Sequence, residues 1–347
     1  MHAATFFDGV GWREGVVELV DGRVRLSDGH SAAGLPRLDG VVLGGFTDHH
    51  VHLQLVDHAQ LSGSRLGRVV DLGGNPGVLR RLARGGIKNA PAARDSGTFS
   101  IPHPHPIPHA HAHAHALVVE FAGAFVAAPG GYPSDREWAP EGSVREVADE
   151  RAAADAVAEM AAAGASCLKV TSNSTAGPVF SDDLFRTIVG LAASHSLPVV
   201  AHAEGPGEAQ RVVALGAARL AHAPFTERLD DEEIARQAAS TSWISTLAIH
   251  DGPARAIAID NVRRFHAAGG TVLYGTDLGN GPMPNDLNAR EIAALREAGL
   301  HSDALLHALA PMDPLAPSAT LLFLPGASPP TADPLAARPL IPADLKV

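Results

Sequence analysis

Hydrophobic positions change their spacing once along this chain. Over residues 4 to 43, short apolar pieces such as "GVVELVDGRVRL" and "LDGVVLGG" are separated by Asp-Gly turns, a pattern that predicts small antiparallel hairpins. From residue 44 onward, short apolar strands alternate with stretches rich in Ala, Leu, Arg and Glu, as repeated βα units do. Strands are expected near "GFTDHHVHL", "RVVDLGG", "ALVVEFAGAFV", "SCLKVTS", "LPVVAHAE", "ARLAHAP", "SWISTLAI" and "TVLYGTD", and eight of them predict a (β/α)8 barrel. Helices are expected at "SVREVADERAAADAVAEMAAAG", "SDDLFRTIVGLAASH", "GEAQRVVALG", "DDEEIARQAAS" and "PARAIAIDNVRRFHAAG", several opening on Ser or Asp and closing on Gly. Beyond "NAREIAALREAGLHSDALLHALA" the composition turns to Pro and Ala, and this tail is expected to return to the N-terminal β piece.

Composition narrows the function. At 347 residues the chain can bury a large core, and 46% hydrophobic with 19% charged residues describes a folded, soluble protein. No apolar run approaches the roughly 20 residues that cross a bilayer, and the N-terminus lacks a basic segment followed by an apolar one, so the expected location is cytoplasmic. A formal charge of -11 argues against nucleic acid and anionic membranes as partners and favours a neutral or cationic small molecule; homo-oligomerisation stays open. Cys167 is the single cysteine, so a bound metal would have to be held by His, Asp, Glu or Lys.

Two His-x-His runs compete for that role. "IPHPHPIPHAHAHAHALVVEF", residues 101 to 121, carries six histidines from His103 to His115, and "GGFTDHHVHLQLVD", residues 44 to 57, carries His50 and His52. Either run presents imidazoles on one side of an extended chain, because residues two apart face the same way. Context separates them. The tract follows Pro102, Pro104, Pro106 and Pro108, which remove backbone donors and favour a solvated loop, whereas His50 and His52 follow an apolar run expected to be a buried strand. The tract therefore reads as a low-complexity insertion with weak metal affinity.

Four further polar residues interrupt apolar strands at or near their expected C-terminal ends, where barrel active sites lie: Lys169, His202, His222 and Asp277. One such interruption is ordinarily a hydrogen-bonded core group; six around one barrel mouth are hard to explain without a metal. "GGFTDHHVH", a strand-ending Lys, two strand-ending His and a final "GTD" together resemble the amidohydrolase superfamily, in its metal-dependent branch with a bridging lysine. "GASCLKVTSN", "PVVAHAEG", "LAHAP" and "YGTDLGN" are most similar to the subgroup of imidazolonepropionases and prolidase-like dipeptidases, over about residues 40 to 310.

The resemblance implies a (β/α)8 barrel over residues 44–314 with a small β-sandwich built from both termini, residues 1–43 and 315–347, and usually two divalent metal ions, most simply zinc. It implies that His50, His52 and Asp277 hold the more buried metal, that His202 and His222 hold the second, and that Lys169, carboxylated by carbon dioxide, bridges them. An ammonium, with a pKa of about 10.4, offers no lone pair, whereas its carbamate is an anionic oxygen ligand. Asp277 is the expected general acid and base, and the implied reaction is hydrolysis of an amide, cyclic amide or ester by a metal-activated hydroxide. Tyr132, in "PGGYPSDREW" where the subgroup has Gly-Gly-His, is expected to touch substrate, as are Asn173 and Asn280. Thr171 and Ser172 lack a G-x-S-x-G elbow, which argues against a serine hydrolase. The alternatives are a mononuclear aminohydrolase that deaminates a heterocycle and a non-catalytic metal-binding protein.

Overall fold

A computed structural model describes residues 1–85, 87 and 117–345; the tract from His103 to His115 lies outside the described residues. The first strands are β1 (His2–Phe7), β2 (Trp12–Val20), β3 (Arg23–Ser27) and β4 (Arg37–Gly44). Asp21 and Gly22, at φ of 50° and 75°, make the tight turn joining β2 to β3, because a two-residue hairpin of this kind needs two left-handed residues. Strands β15 (Leu321–Pro325) and β16 (Arg338–Pro339) come from the other end of the chain. They join the same sheet in the order β16-β15-β4-β1-β2-β3. Ala4, Phe6, Val17, Val42, Leu321 and Phe323 close one core on this sheet.

The remaining strands are parallel. One sheet holds β5 (Phe46–Val51), β6 (Leu66–Asp71) and β7 (Val118–Phe121). The other runs β14-β13-β12-β11-β10-β8-β9, with β8 (Phe125–Ala127), β9 (Val144–Glu146), β10 (Leu168–Asn173), β11 (Val199–Glu204), β12 (Arg219–Leu220), β13 (Ser242–Ile244) and β14 (Thr271–Leu273). Backbone hydrogen bonds join the two sheets at both ends. Ser166 N–H donates to Phe121, His49 N–H to Tyr274, and Leu278 N–H to His50. Helices α1 (Pro76–Gly85), α2 (Glu150–Ala163), α3 (Asp182–Ser194), α4 (Glu208–Ala214), α5 (Asp231–Ser240), α6 (Gly252–Ala267), α7 (Ala289–Glu297) and α8 (Ser302–Leu309) alternate with these strands and bury their apolar faces on them. Among the described residues no helix is long and apolar enough to cross a membrane.

Three local readings differ from the sequence pattern. The helix expected from Ser143 starts at Glu150, capped by Asp149, because Val144–Glu146 is drawn into parallel pairing with β8. The run "ALVVEFAGAFV" is two strands, broken where Gly123 takes φ of 83°. Helix α1 had no counterpart in the pattern, although Asn75 accepts hydrogen bonds from Gly77 N–H and Val78 N–H, and Pro76 opens the helix as a first-turn proline can.

Candidate metal centre

Strands β5, β10 and β11, and the segments following β5, β12 and β14, bring six polar side chains to one place, with Lys169 second in β10 rather than near the strand end expected from the sequence. His50, His52, Lys169, His202, His222 and Asp277 line a single cavity of about 290 Å³, together with Leu55, Phe125, Tyr132, Trp138 and Asn280. Each of the six is less than a tenth exposed, which is unusual for such residues unless they are paired or ligating.

The histidine tautomers follow from their outer hydrogen bonds. His50 Nδ1 lies 2.8 Å from the Ala221 carbonyl and His52 Nδ1 lies 3.0 Å from the Gly73 carbonyl. A carbonyl only accepts, so each Nδ1 carries the proton and each Nε2 is left with its lone pair. Both lone pairs point at one carboxylate oxygen: Asp277 Oδ1 is 3.1 Å from His50 Nε2 and 3.2 Å from His52 Nε2. Three acceptors facing each other in a buried site repel unless a proton or a cation lies among them, and these three ligand atoms are close enough to hold one ion. The other oxygen, Asp277 Oδ2, accepts from Asn280 Nδ2 at 2.9 Å.

His222 and His202 sit beside this triad. The His222 ring is 4.8 Å from that of His50 and 5.0 Å from that of His202. His222 Nδ1 is 2.9 Å from Thr246 Oγ1, and His202 Nε2 is 3.2 Å from Glu204 Oε2. Burial holds His50 and His222 well below the ordinary imidazole range and lowers His202, so these three are neutral and able to ligate. His52 moves the other way: burial opposes its charge, but the hydrogen bond and charge of Asp277 raise it, the response expected where a cation's place is taken by a proton. Burial pushes Asp277 up, yet His50, His52 and His222 outweigh it and hold the carboxyl well below its usual range. Lys169 is brought down to about 8 by burial, against the pull of Asp277, Cys167 and Asp71.

Of the three residues expected to contact substrate, Tyr132 and Asn280 line the cavity, and Asn173 does not. Asn173 instead donates to Glu204 Oε2 at 2.7 Å and accepts from Thr175, tying down the rim. Supporting residues missed in the sequence include Asp48, which accepts from His50 N–H, Thr276 N–H and Thr276 Oγ1, and so links the strand of the histidines to the segment of Asp277. Asp71 accepts from Leu53 N–H and Gly73 N–H and fixes the carbonyl that orients His52. The "TDHHVH" spacing contained the signal for Asp48; Asp71, Glu204 and Thr246 become visible only when distant strands are side by side.

No family model matches the chain, and no curated protein matches it. Among solved structures it is similar to a Xaa-Pro dipeptidase with bound methionine in the active site, at 16% identity over 97% of this chain and 96% of that one, with a TM-score of 0.67. It is similar to A. niger ochratoxinase at 16% identity, covering 97% and 94%, with a TM-score of 0.64. Phenylurea hydrolase B gives 14% identity, 95% and 92% coverage, and a TM-score of 0.63. The chain thus has, over nearly its whole length, the fold of solved amidohydrolase and prolidase structures.

Proposed function

We propose that this chain is a metal-dependent amidohydrolase that cleaves an amide, cyclic amide or ester bond of a small molecule or short peptide, with carbon–nitrogen bonds preferred. On this reading parallel strands between β5 and β14 form a (β/α)8 barrel over residues 44–314, and the six-stranded sheet belongs to a composite β-sandwich of residues 1–43 and 315–347. Its partners are small molecules in the cytoplasm. The observation that carries the reading is the convergence of two imidazole Nε2 atoms, His50 and His52, on Asp277 Oδ1 in a buried cavity.

His50, His52 and Asp277 would hold one ion, His202 and His222 a second, and carboxylated Lys169 would bridge the two; four imidazoles suit zinc. When bound, such ions polarise a carbonyl and acidify water. The chain supplies the rest. Lys169 makes no hydrogen bond that shifts its titration, and burial brings it to about 8, leaving a fraction of free amine whose nitrogen can attack carbon dioxide and release a proton. Asp277, anionic and fixed through Oδ2 by Asn280, can take a proton from water and pass it to the departing amine. Tyr132 is raised to about 12 by burial and by the charges of Asp277 and Glu204, so it stays a phenol able to donate to a substrate carbonyl. Phe125, Trp138 and Leu55 form an apolar wall for the rest of the substrate.

Metal analysis with a hydrolysis panel of N-acyl amino acids, dipeptides, lactams and esters tests the proposal, using a variant lacking residues 101 to 115 so that tract-bound metal is not counted. About two ions per chain and turnover of at least one carbon–nitrogen substrate are expected. One ion with ammonia released from a heterocycle would instead indicate a mononuclear aminohydrolase, and metal without any turnover a binding protein.

A further inference from the structure

The chain has three tryptophans, and two of them serve the fold. Trp243 is fully buried, stacks on Phe265 at 3.8 Å and donates to Gln237 Oε1 at 2.9 Å. Trp12 packs on Phe7 and donates to Asp303 Oδ1 at 2.9 Å. Trp138 differs from both. It is 40% exposed, lines the cavity of the metal centre, and its indole N–H has no hydrogen-bond partner among the described residues. An indole left partly in water at a cavity mouth forgoes stabilisation that a flat apolar ligand laid against it would supply.

Its ring neighbours lead inward. The Trp138 ring lies 6.0 Å from Phe125, edge to face, and 6.1 Å from Tyr132. Phe125 in turn lies 5.6 Å from the ring of His52, and Tyr132 lies 5.0 Å from that of His202. A single aromatic ring therefore stands between the indole and a histidine of each proposed ion. Substrate atoms leaving the centre pass Phe125 and Tyr132 and meet Trp138 one ring further out.

This aromatic wall is fixed from behind. Trp138 belongs to the segment between β8 and β9, where Thr171 Oγ1 on β10 donates to the Tyr132 carbonyl at 2.6 Å and Gly130 N–H donates to Glu146 Oε1 at 2.7 Å. Ala139 N–H closes a turn around the indole by donating to the Arg136 carbonyl at 3.0 Å. Rings held this way are presented before a ligand arrives, so binding bears little of the cost of ordering them. The cavity, at about 290 Å³, is at the small end of the roughly 300–1,000 Å³ that ligand pockets span, which suits a compact molecule with one ring better than an extended peptide.

Building on the amidohydrolase reading, we propose that Trp138 is a specificity-determining residue, and that the substrate is a compact amide or ester with one planar aromatic ring beside the scissile bond. That ring packs against the indole, with Phe125 and Tyr132 forming the rest of its pocket.

The test uses pairs of compounds that differ only in the ring: phenylacetyl against cyclohexylacetyl amides, and benzylamides against cyclohexylmethylamides. The methylene insulates the scissile carbonyl, so each pair is matched in intrinsic reactivity and differs in flatness and in the π face. With the metal-loaded full chain, kcat/KM should favour the aromatic member about three- to tenfold. Binding gives a readout without turnover. Calorimetry with benzylacetone and its cyclohexyl counterpart, ketones that cannot be hydrolysed, should show a similar ratio of Kd values. Trp138→Leu, which stays apolar, should bring both ratios to about one at parental metal content, while Trp138→Phe should keep part of them; Trp138→Met takes the place of a leucine variant that does not fold. Ring-selective binding without turnover of any pair would sink the hydrolase reading and leave the role of Trp138 standing. Turnover or binding in the parent without preference for the ring, or a preference that Trp138→Leu leaves intact, would overturn that role, and neither turnover nor binding of any member would overturn both.

Discussion

Asp277 holds a backbone conformation that few non-glycine residues adopt, with φ of 57°, and Thr246, the partner of His222, has φ of 43°. Such conformations cost of order 1–3 kcal/mol each and persist where surrounding contacts enforce them. Here the left-handed turn at Asp277 aims Oδ1 at two histidines and Oδ2 at Asn280, and Gly279, at φ of 115°, lets the chain pass His52, whose Cβ would lie 3.1 Å from any added Cβ. Asp277→Asn keeps this shape but cannot accept a proton in the same way, so kcat should fall at least roughly a hundredfold. Metal content must be measured alongside, and full turnover with parental metal would remove Asp277 from the mechanism. Lys169 gives the sharper case. At 1% exposed it is costly as an unpaired ammonium, and carboxylation converts it into a ligand. Lys169→Ala should lose metal and activity, with a short carboxylic acid restoring part of both, while Lys169→Arg should not help because guanidinium has no lone pair to give. An alanine variant with two ions and normal turnover would reduce Lys169 to a structural residue.

The elements that carry these side chains are steadied from behind by buried acids. Glu291 on α7 is fully buried, and its Oε2 accepts from Ala248 N–H, anchoring the turn after Thr246; its Oε1 has no partner. Burial raises Glu291 to about 7, against the pull of Ser245 and the backbone of Leu247 and Ala248. Between its ordinary value of 4.5 and about 7 the folded state binds more protons than the unfolded one, so this group's contribution to stability declines as pH rises through that window and is flat above it. Asp48, raised to about 7 by burial, acts in the same direction. Glu291→Gln stays neutral throughout, so unfolding by urea at pH 5 and pH 8 should show the variant gaining on the parent by at most about 3 kcal/mol over that interval. Equal pH slopes would show that Glu291 keeps an ordinary titration. None of this was legible along the chain: Glu291 sits in "NAREIAALREAG" as one polar residue of an amphipathic helix, and only packing turns it inward. What was legible was apolar periodicity, which located the strands from β5 to β8 and from β10 to β14, because a strand buried on both faces reads as an apolar run. Boundaries failed where long-range pairing prevailed over local preference, as at Val144–Glu146.

At the scale of the molecule, the fold gathers one of the two His-x-His runs with the other candidate ligands. His50 and His52 stand at the C-terminal end of β5, in the cavity with Lys169, His202, His222 and Asp277. The tract lies outside the described residues. The sequence could distinguish the runs only by context, prolines on one side and an apolar strand on the other; it held no measure of which distant residues the fold brings to His50 and His52. Because the six candidate ligands all lie outside residues 101 to 115, deleting that stretch should preserve most turnover and the ions of the centre, while His50→Asn and His52→Asn should each lose nearly all activity, since an amide side chain is a poor substitute for a neutral imidazole ligand. Turnover, metal content and melting temperature of the three variants, measured together, check this. A deletion variant that folds and holds its ions but no longer turns over substrate would mean that the tract contributes to catalysis.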